Sequence, residues 1–223
     1  MMEEIKYGPL TLEWDEGPFG PGYCVTACEK DVVEVEIPPQ IGEYNVIAIG
    51  EYTFSGCTSL VSIHIPDTVS SISRGAFQDC CSLAAVTFSS DAYAGPYAFS
   101  GCRSLVSLPS LGSVSEGMLR DCKSLMNVTL TKYCHEIDED AFEHCESLRQ
   151  VVIPSSVDRI EALAFRGCYA LTRVTFEEPK GWYMKNCYNG AEVALDLSDP
   201  ADNAYSLSRM DFDDGVIAWY RKK

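Results

Sequence analysis

The sequence has no long hydrophobic run and little positive charge. No stretch approaches the roughly 18 consecutive apolar residues that a membrane helix requires, so we predict no membrane insertion. The chain carries 17 Lys and Arg residues against 33 Asp and Glu residues, a net charge of −16 at pH 7. Because phosphate contacts dominate nucleic-acid affinity, so negative a protein is a poor candidate for binding DNA, RNA or an anionic membrane.

Sequence signals of secretion and of catalysis are also missing. Residues 1–9 contain neither the basic region nor the apolar region of a secretion signal, so the chain as written is expected to stay in the cytoplasm unless a signal has been removed. The three histidines, His64, His135 and His144, are not linked by a motif to a nucleophile or carboxylate. The Walker, G-x-S-x-G and G-x-G-x-x-G motifs are absent. We predict no catalytic residues, no cofactor and no enzyme activity.

Cysteine is too scarce for a small domain built on disulfides. The 11 cysteines among 223 residues are about 5% of the chain, and their number is odd. Their positions are more informative than their number, since most of them fall within a repeated phrase.

The phrase Ala-Phe-x-x-Cys-x-x-Leu organises the chain. Four close copies begin at Ala76, Ala98, Ala141 and Ala164, and two looser copies end at leucines 60 and 125. The six leucines stand at positions 60, 83, 105, 125, 148 and 171, so successive steps are 23, 22, 20, 23 and 23 residues. A period of about 20–29 residues is typical of leucine-rich solenoids.

Each leucine begins a second phrase with alternating polarity. In Leu60–Pro66 the spacing predicts a strand with Ile63 and Ile65 pointing inward, and the proline ends the strand because it lacks an N–H. Ala76, Phe77 and Cys80 are spaced like neighbours on one helical turn. We therefore expect each repeat to consist of a strand, a corner, a short helical or 3₁₀ turn and a second corner, and to share its core with the next copy.

These motifs resemble the BspA-type bacterial leucine-rich-repeat family, whose repeat carries Leu-x-x-Ile-x-Ile-Pro followed by Ile-x-x-x-Ala-Phe-x-x-Cys. The resemblance covers about residues 46–176. The third repeat, Leu105–Ser110, is shortened, and Gly117-Met118-Leu119 replaces the Ala-Phe pair in the fourth. The resemblance implies a solenoid used for adhesion or protein interaction, without catalytic residues, and it implies a protein that is often secreted or on the cell surface.

The predicted fold is a leucine-rich-repeat solenoid. It is a right-handed coil of strands and short helical turns, with a parallel sheet on the concave face and a cap at each end. We assign residues 1–45 to an N-terminal cap with a degenerate first repeat at Val33–Pro38, residues 46–176 to six repeats, and residues 177–223 to a C-terminal cap.

The C-terminal cap is predicted to contain a strand, a short helix and a final strand. The first strand covers Val193–Leu197, and the helix starts with Asp199 as N-cap and Pro200 at the first helical position. A turn at Asp213–Gly215 precedes the final strand, Val216–Tyr220. Two tryptophans of this segment, at positions 182 and 219, are expected to seal the last core layer rather than to bind a ligand.

Six cysteines share one repeat position and should stack as a buried column of reduced thiols: Cys57, Cys80, Cys102, Cys122, Cys145 and Cys168. Parallel side chains at the strand spacing hold Cβ atoms near ~5 Å apart, farther than a disulfide prefers. Two arrangements have metal-like or disulfide-like spacing: Cys24 with Cys28, and Cys134-His135 with His144-Cys145, of which Cys145 is also a member of the column. We predict no metal site in either, and whether Cys24 and Cys28 pair stays open.

An acidic run occupies residues 136–146. Its six acids are Glu136, Asp138, Glu139, Asp140, Glu143 and Glu146. The run lacks the spacing and the glycine of a calcium-binding loop, so we interpret it as a solvated outer face.

The outward strand positions form the candidate binding surface. Ten of them are the predicted site residues: Glu34, Glu36, Ser62, His64, Thr87, Asn127, Thr129, Gln150, Arg173 and Thr175. A rigid and shallow face of this kind suits a protein or a glycan better than a small molecule. The sequence therefore predicts a non-enzymatic recognition or adhesion scaffold, monomeric by preference. The alternative is a structural or self-associating module without an external ligand.

Overall fold

A computed structural model of the chain describes residues 4–16, 20–186, 190–209 and 216–222. The described chain forms a β-solenoid of about seven turns with little helix. Its strands are β1 Glu4–Tyr7, β2 Leu10–Asp15, β3 Gly22–Cys28, β4 Glu34–Glu36, β5 Gln40–Ile41, β6 Tyr44–Ile49, β7 Ser62–His64, β8 Ser71–Ile72, β9 Ala85–Thr87, β10 Tyr93–Ala94, β11 Glu136–Ile137, β12 Gln150–Ile153, β13 Arg159–Glu161, β14 Arg173–Phe176, β15 Trp182–Asn186, β16 Glu192–Ala194 and β17 Val216–Arg221. The helix α1 covers Pro200–Ser208.

Two sets of parallel strands run along the coil. The first set, which we call the strand face, consists of β4, β7 and β9 at one end and β12 with β14 at the other. The second set, which we call the second ladder, joins β3, β6, β8 and β10, and later β11 with β13. The leucine period thus places the strand of each repeat beside the matching strand of the next.

The core between these two sets is a stack of identical side chains. The Phe54 and Phe77 rings stack with centroids 4.8 Å apart, and Phe142 and Phe165 stack at 5.0 Å. The repeat leucines, including Leu60, are buried. Leu119 takes the aromatic position in the fourth repeat and is equally buried, so the departure from Ala-Phe keeps an apolar layer.

The short helical or 3₁₀ turn predicted for each repeat is present as isolated i to i−3 hydrogen bonds, for example from the Gln78 amide to the Gly75 carbonyl at 2.9 Å, and not as an α-helix in the described residues. The Phe77 amide donates to the carbonyl of Ala98 and the Asp79 amide to that of Ser100, both at 2.8 Å. These donors serve the next coil, so they are unavailable for the i to i−4 bonds of a helix. The Ala-Phe-x-x-Cys phrase therefore forms hydrogen-bonded turns that join neighbouring coils.

Some of these turns require left-handed backbone. Asp79 has φ of 59° and Gly101, at the same position one coil later, has φ of 76°. A Cβ on Gly101 would collide with the Asp79 carboxylate. The glycine therefore provides both the backbone conformation and the room for the neighbouring side chain.

The N-terminal cap is built from antiparallel strands. β1 pairs with β2 and β2 with β3, while β3 runs parallel to β6 and so extends the second ladder. β4, within the degenerate repeat, pairs in parallel with β7 and begins the strand face.

The C-terminal cap closes the other end of the solenoid. β17 pairs antiparallel with β13 and with β15, and β15 pairs with β16. Both Trp182 and Trp219 are buried against Phe176, with ring centroids 5.0 and 6.3 Å away. The helix has Asp199 as its N-cap, with Oδ1 2.8 Å from the Ala201 amide. The turn predicted at Asp213–Gly215 lies outside the described residues.

The helix packs on β14 in place of a further coil. The Ser208 carbonyl accepts a hydrogen bond from the Gly167 amide at 3.0 Å, as a following repeat would. The helix has nine residues, and no helix in the described part of the chain is long and apolar enough to cross a membrane.

Candidate functional site

The structure places eight of the ten predicted site residues on strands of the strand face in the expected register, and Asn127 and Thr129 lie outside those strands. Glu34 pairs with Ser62 and Ser62 with Ala85, and on the other side Asn127 bridges to Gln150, which pairs with Arg173. Nine of the ten predicted residues are exposed; the tenth, on β14, is half-buried. These ten are the residues Glu34, Glu36, Ser62, His64, Thr87, Asn127, Thr129, Gln150, Arg173 and Thr175.

The strand face is interrupted at the shortened repeat. Ser107 and Asn127 make only single bridges to their outer neighbours, and no strand pair joins them to each other in the described residues. The coils remain connected through the Met126 amide, which donates to the Val106 carbonyl at 3.2 Å. Thr129 therefore lies beside the face rather than within a regular strand.

The two ends of the strand face differ in charge. At the N-terminal end Glu34 and Glu36 line a shallow hollow of about 410 Å³ together with His64, whose Nδ1 lies 2.8 Å from Thr87 Oγ1. At the other end Gln150 and the Arg173 guanidinium line a hollow of about 370 Å³ beside the start of α1. The two ends are six strand spacings apart, a distance of about 29 Å.

A stripe of exposed apolar side chains runs beside these polar columns, and sequence reasoning missed it. We call it the apolar stripe: Val33, Val61, Val106 and Met126, each 40–55% exposed. Main-chain bonds join Val61 N to Val33 O at 3.0 Å and Met126 N to Val106 O at 3.2 Å, and between Val61 and Val106 they run through the half-buried Ala84. Strict alternation along the strand would point these side chains into the core. They are exposed because the chain turns a corner at these positions, before the strand begins. The recurring apolar residue directly after each early repeat leucine was the available signal.

The cysteine column is buried and hydrogen-bonded. The Cys80 Sγ lies 3.1 Å from the carbonyl oxygen of Phe54 in the preceding coil, and Cys102 Sγ lies 3.1 Å from that of Phe77. The same contact recurs at Cys122, Cys145 and Cys168. Burial raises the pKa of the Cys168 thiol to about 12, so the thiol stays protonated at neutral pH. A buried thiol of this kind is inert, whereas the hydrogen bond with Cys28 lowers the pKa of Cys57, at the first column position, to about 7.

Cys24 and Cys28 do not pair. They are four residues apart on β3, which is about 13 Å in an extended strand. Cys28 instead contacts Cys57, and the sulfur–sulfur hydrogen bond together with burial raises the pKa of Cys28. Cys81 is free and half-buried, and Cys187 lies outside the described residues.

The zinc-like constellation of residues 134–145 is not brought together. Cys134 is buried with its Sγ 3.4 Å from the Glu136 carbonyl, and Cys145 belongs to the column. His144 points to Asp121, with Nδ1 3.5 Å from Oδ1. Across residues 4–16, 20–186, 190–209 and 216–222, no group of three or more potential ligands is arranged to hold a metal ion.

The acidic run is not wholly a solvated face, so that interpretation was wrong in part. The Glu143 side chain is 3% exposed and lies 2.9 Å from Arg120 and 3.5 Å from Arg166. Asp140 also pairs with Arg120, at 2.8 Å. Desolvation by burial raises the pKa of the Glu143 and Asp140 carboxyls. The arginines come from neighbouring coils, which linear spacing alone does not reveal.

Comparison with known families identifies the chain. The BspA type leucine rich repeat region matches residues 27–116 and 97–192, with six copies. The protein belongs to this family. The predicted recognition of the repeat and the predicted solenoid are thereby confirmed. Among curated proteins there is no match.

Solved structures of bacterial leucine-rich-repeat proteins are similar to this chain. The T. pallidum leucine-rich-repeat protein TpLRR is 25% identical, with a TM-score of 0.65 over 78% of this chain and 84% of that one. A leucine-rich cell surface protein from Faecalibacterium prausnitzii is 26% identical, with a TM-score of 0.61 over 89% of this chain and 62% of that one. A protein from Bacteroides ovatus, 22% identical with a TM-score of 0.60, covers 78% of this chain and 53% of that one and shows the fold alone.

Fold and family indicate the general class of function. Proteins of this repeat family are typically non-enzymatic scaffolds for protein binding or adhesion. The outer surface of such a scaffold is built by repetition, since each coil contributes the same few outward positions.

Proposed function

We propose that the protein is a recognition scaffold that binds a protein partner through the strand face and the apolar stripe. The observation that carries this proposal is the apolar stripe itself. Isolated exposed apolar residues are ordinary, but a contiguous row of them rimmed by polar residues is a feature of interaction sites. A cell-surface location, as described for the F. prausnitzii protein, would suit this role.

The composition of this surface supports a protein partner. Interfaces have an apolar centre and a polar rim that provides hydrogen bonds. Val61 and Met126 are three coils apart, about 14 Å, so the stripe is long enough to contact several partner side chains. The columns through Ser62 and Asn127 lie directly beside it and provide hydroxyl and amide groups.

The proposed surface is negatively charged at one end and positively charged at the other. Glu34 and Glu36 stand at one end and Arg173 at the other, and none of the three has an ion pair among the described residues. Unpaired rim charges contribute to partner selection and association rate more than to affinity. We infer that the partner presents a basic group near the N-terminal end and an acidic group near β14.

The proposal is tested by capture on an array of purified extracellular proteins. Val106→Asp and Met126→Asp place a charge in the stripe at exposed positions, and we expect each to weaken capture at least tenfold with an unchanged melting temperature. The matched control is Val193→Asp, because Val193 is similarly exposed but lies on β16 in the C-terminal cap. Equal capture by all variants would contradict the proposal.

Self-association through the same surface is the competing function. Sedimentation of the wild-type chain at high concentration distinguishes the two. A dimer that Met126→Asp dissociates, without capture of any other protein, would replace external recognition by self-association.

A further inference from the structure

A cavity lies on the second ladder, away from the strand face and the apolar stripe. It has a volume of about 450 Å³ and is lined by residues 90–93, by Gly112 and Ser113, and by Tyr133. An adjoining hollow of about 270 Å³ shares Tyr93, Gly112, Ser113 and Tyr133. We call the two together the notch.

The notch exists because one coil is short. The step between Leu105 and Leu125 is 20 residues, whereas the steps on either side are 22 and 23. The missing residues fall at the corner before the second ladder, where this coil contributes only the single bridge of Val114 to Ile137. The longer coils on either side therefore rise above it as walls.

Each wall carries a tyrosine. Tyr93 comes from the preceding coil and Tyr133 from the following one, and both side chains are exposed, Tyr133 to 60%. The two walls are two coil spacings apart, a distance of about 10 Å. The Tyr93 hydroxyl also accepts a hydrogen bond from the Ser115 hydroxyl at 3.4 Å, so this side chain is directed towards the short coil.

The floor is polar because its peptide groups are unpaired. Neither Gly112 nor Ser113 makes a main-chain hydrogen bond to another described residue. The free stretch is too short for a peptide to add as a strand, since Leu111 donates to Thr129 and Val114 accepts from Asp138. A ligand for this floor must both donate and accept hydrogen bonds within a small area.

The surroundings carry charges of both signs: Asp91 lines the larger hollow, Glu136 and Asp138 line the adjoining one, and Lys132 lies beside Tyr133. Carboxylates accept hydrogen bonds from sugar hydroxyls, whereas the N–H groups of the floor require a ligand that also supplies acceptors. Two serine hydroxyls add further donors and acceptors at the rim.

We propose that the notch binds one pyranose ring of a neutral glycan. The apolar C–H face of the sugar packs on the tyrosine rings, and its hydroxyls bond to the peptide groups of Gly112 and Ser113 and to the Asp91 carboxylate. The volume agrees, since it lies within the range of small-ligand sites. This site is independent of the proposed protein-binding surface, so both can be occupied at once.

The test is saturation-transfer difference NMR on the full chain with a panel of methyl pyranosides: glucoside, galactoside, mannoside and N-acetylglucosaminide. We expect saturation transfer to at least one of them at millimolar concentration. Tyr133→Ala and Tyr93→Ala should each reduce binding at least tenfold. Tyr169→Ala is the matched control, because that tyrosine is 70% exposed and lies outside the notch.

Several results would overturn the proposal: no transfer to any pyranoside, equal transfer in the tyrosine variants and the wild type, or Tyr133-dependent binding of Nα-acetyl-arginine methylamide in place of sugars. Melting curves establish that both variants are folded, as their exposed positions predict. The Val106→Asp variant should retain sugar binding, so that failure of the notch and failure of the protein-binding surface are distinguishable.

Discussion

Sulfur acts in this core both as a small apolar group and as a hydrogen-bond donor. The repeat position predicts that the column cysteines are buried and reduced. It does not predict their acceptor, the carbonyl of the preceding coil, because that partner is about 25 residues away and depends on how coils stack. Cys102 shows the point, with its Sγ 3.1 Å from Phe77 O.

Replacing Cys102 therefore tests more than packing. We expect Cys102→Ala to lower the free energy of unfolding by about 1–3 kcal/mol, because it removes both a buried donor and core volume. Cys81→Ala, at a half-buried position beside the column, should change it by no more than about 0.5 kcal/mol. Urea unfolding measures both values, and equal values would show that the column contact does not stabilise the fold.

Other contacts between coils could not be predicted from the sequence for the same reason. Glu143 meets Arg120 and Arg166 across coils, and Cys28 meets Cys57 rather than Cys24. Their chain separations follow the repeat only roughly, so the partners become visible only when the coils are stacked.

Among the elements, strands were easier to predict than turns. The Leu-x-x-Ile-x-Ile spacing gives β7 and β12 correctly, since alternation is a local property. The Ala-Phe-x-x-Cys spacing also fits a helical turn, but in the structure its amides bond alternately within the turn and to the next coil. A local pattern cannot distinguish these outcomes when the competing partner lies one coil away.

The helix α1 covers the C-terminal end of the solenoid in place of a further coil. Asn203 is buried, and its Nδ2 donates to the carbonyls of Val174 and Leu197 at 3.0 and 3.1 Å. It therefore fixes the helix to the last strand of the strand face.

We expect Asn203→Ala to lower the free energy of unfolding by about 1–3 kcal/mol, because two buried carbonyls lose their donor. Tyr205→Ala is the control on the same helix, since that side chain is exposed. Chemical denaturation of both variants is the measurement. A small and equal effect would mean that the cap is held by its apolar contacts alone.

At the scale of the whole molecule, acidity and burial together predict an unusual pH dependence. Burial raises the pKa of five carboxyls: Asp138, Glu139, Asp140, Glu143 and Glu161. A raised folded pKa means that the folded chain holds protons that the unfolded chain releases. Stability is then lost as the pH rises through the folded pKa values and is regained as the pH falls.

The melting temperature should therefore rise as the pH falls from 7 toward the ordinary carboxyl pKa of about 4. Relief of repulsion among the excess negative charges acts in the same direction. Glu143→Gln should flatten this rise, whereas Glu34→Gln, which changes the net charge equally at an exposed site, should leave it intact. A melting temperature that falls over this interval would contradict the account.

The solenoid as a whole follows from the leucine period, and its binding features do not. Five steps of 20–23 residues specify stacked coils and therefore the columns of the strand face. The notch arises from the one short step, and the apolar stripe from corner positions where alternation fails. Both features depart from the regular alternation and spacing of the repeat, so the repeat pattern alone did not locate them.

The central claim is that a partner meets the strand face and the apolar stripe. Hydrogen exchange of the full chain, with and without a captured protein, tests it most directly. The account predicts added protection in residues 61–64, 84–87, 106–107 and 126–129, with little change in the turns at 76–80 and 141–145. Protection confined to those turns, or to the caps, would contradict it.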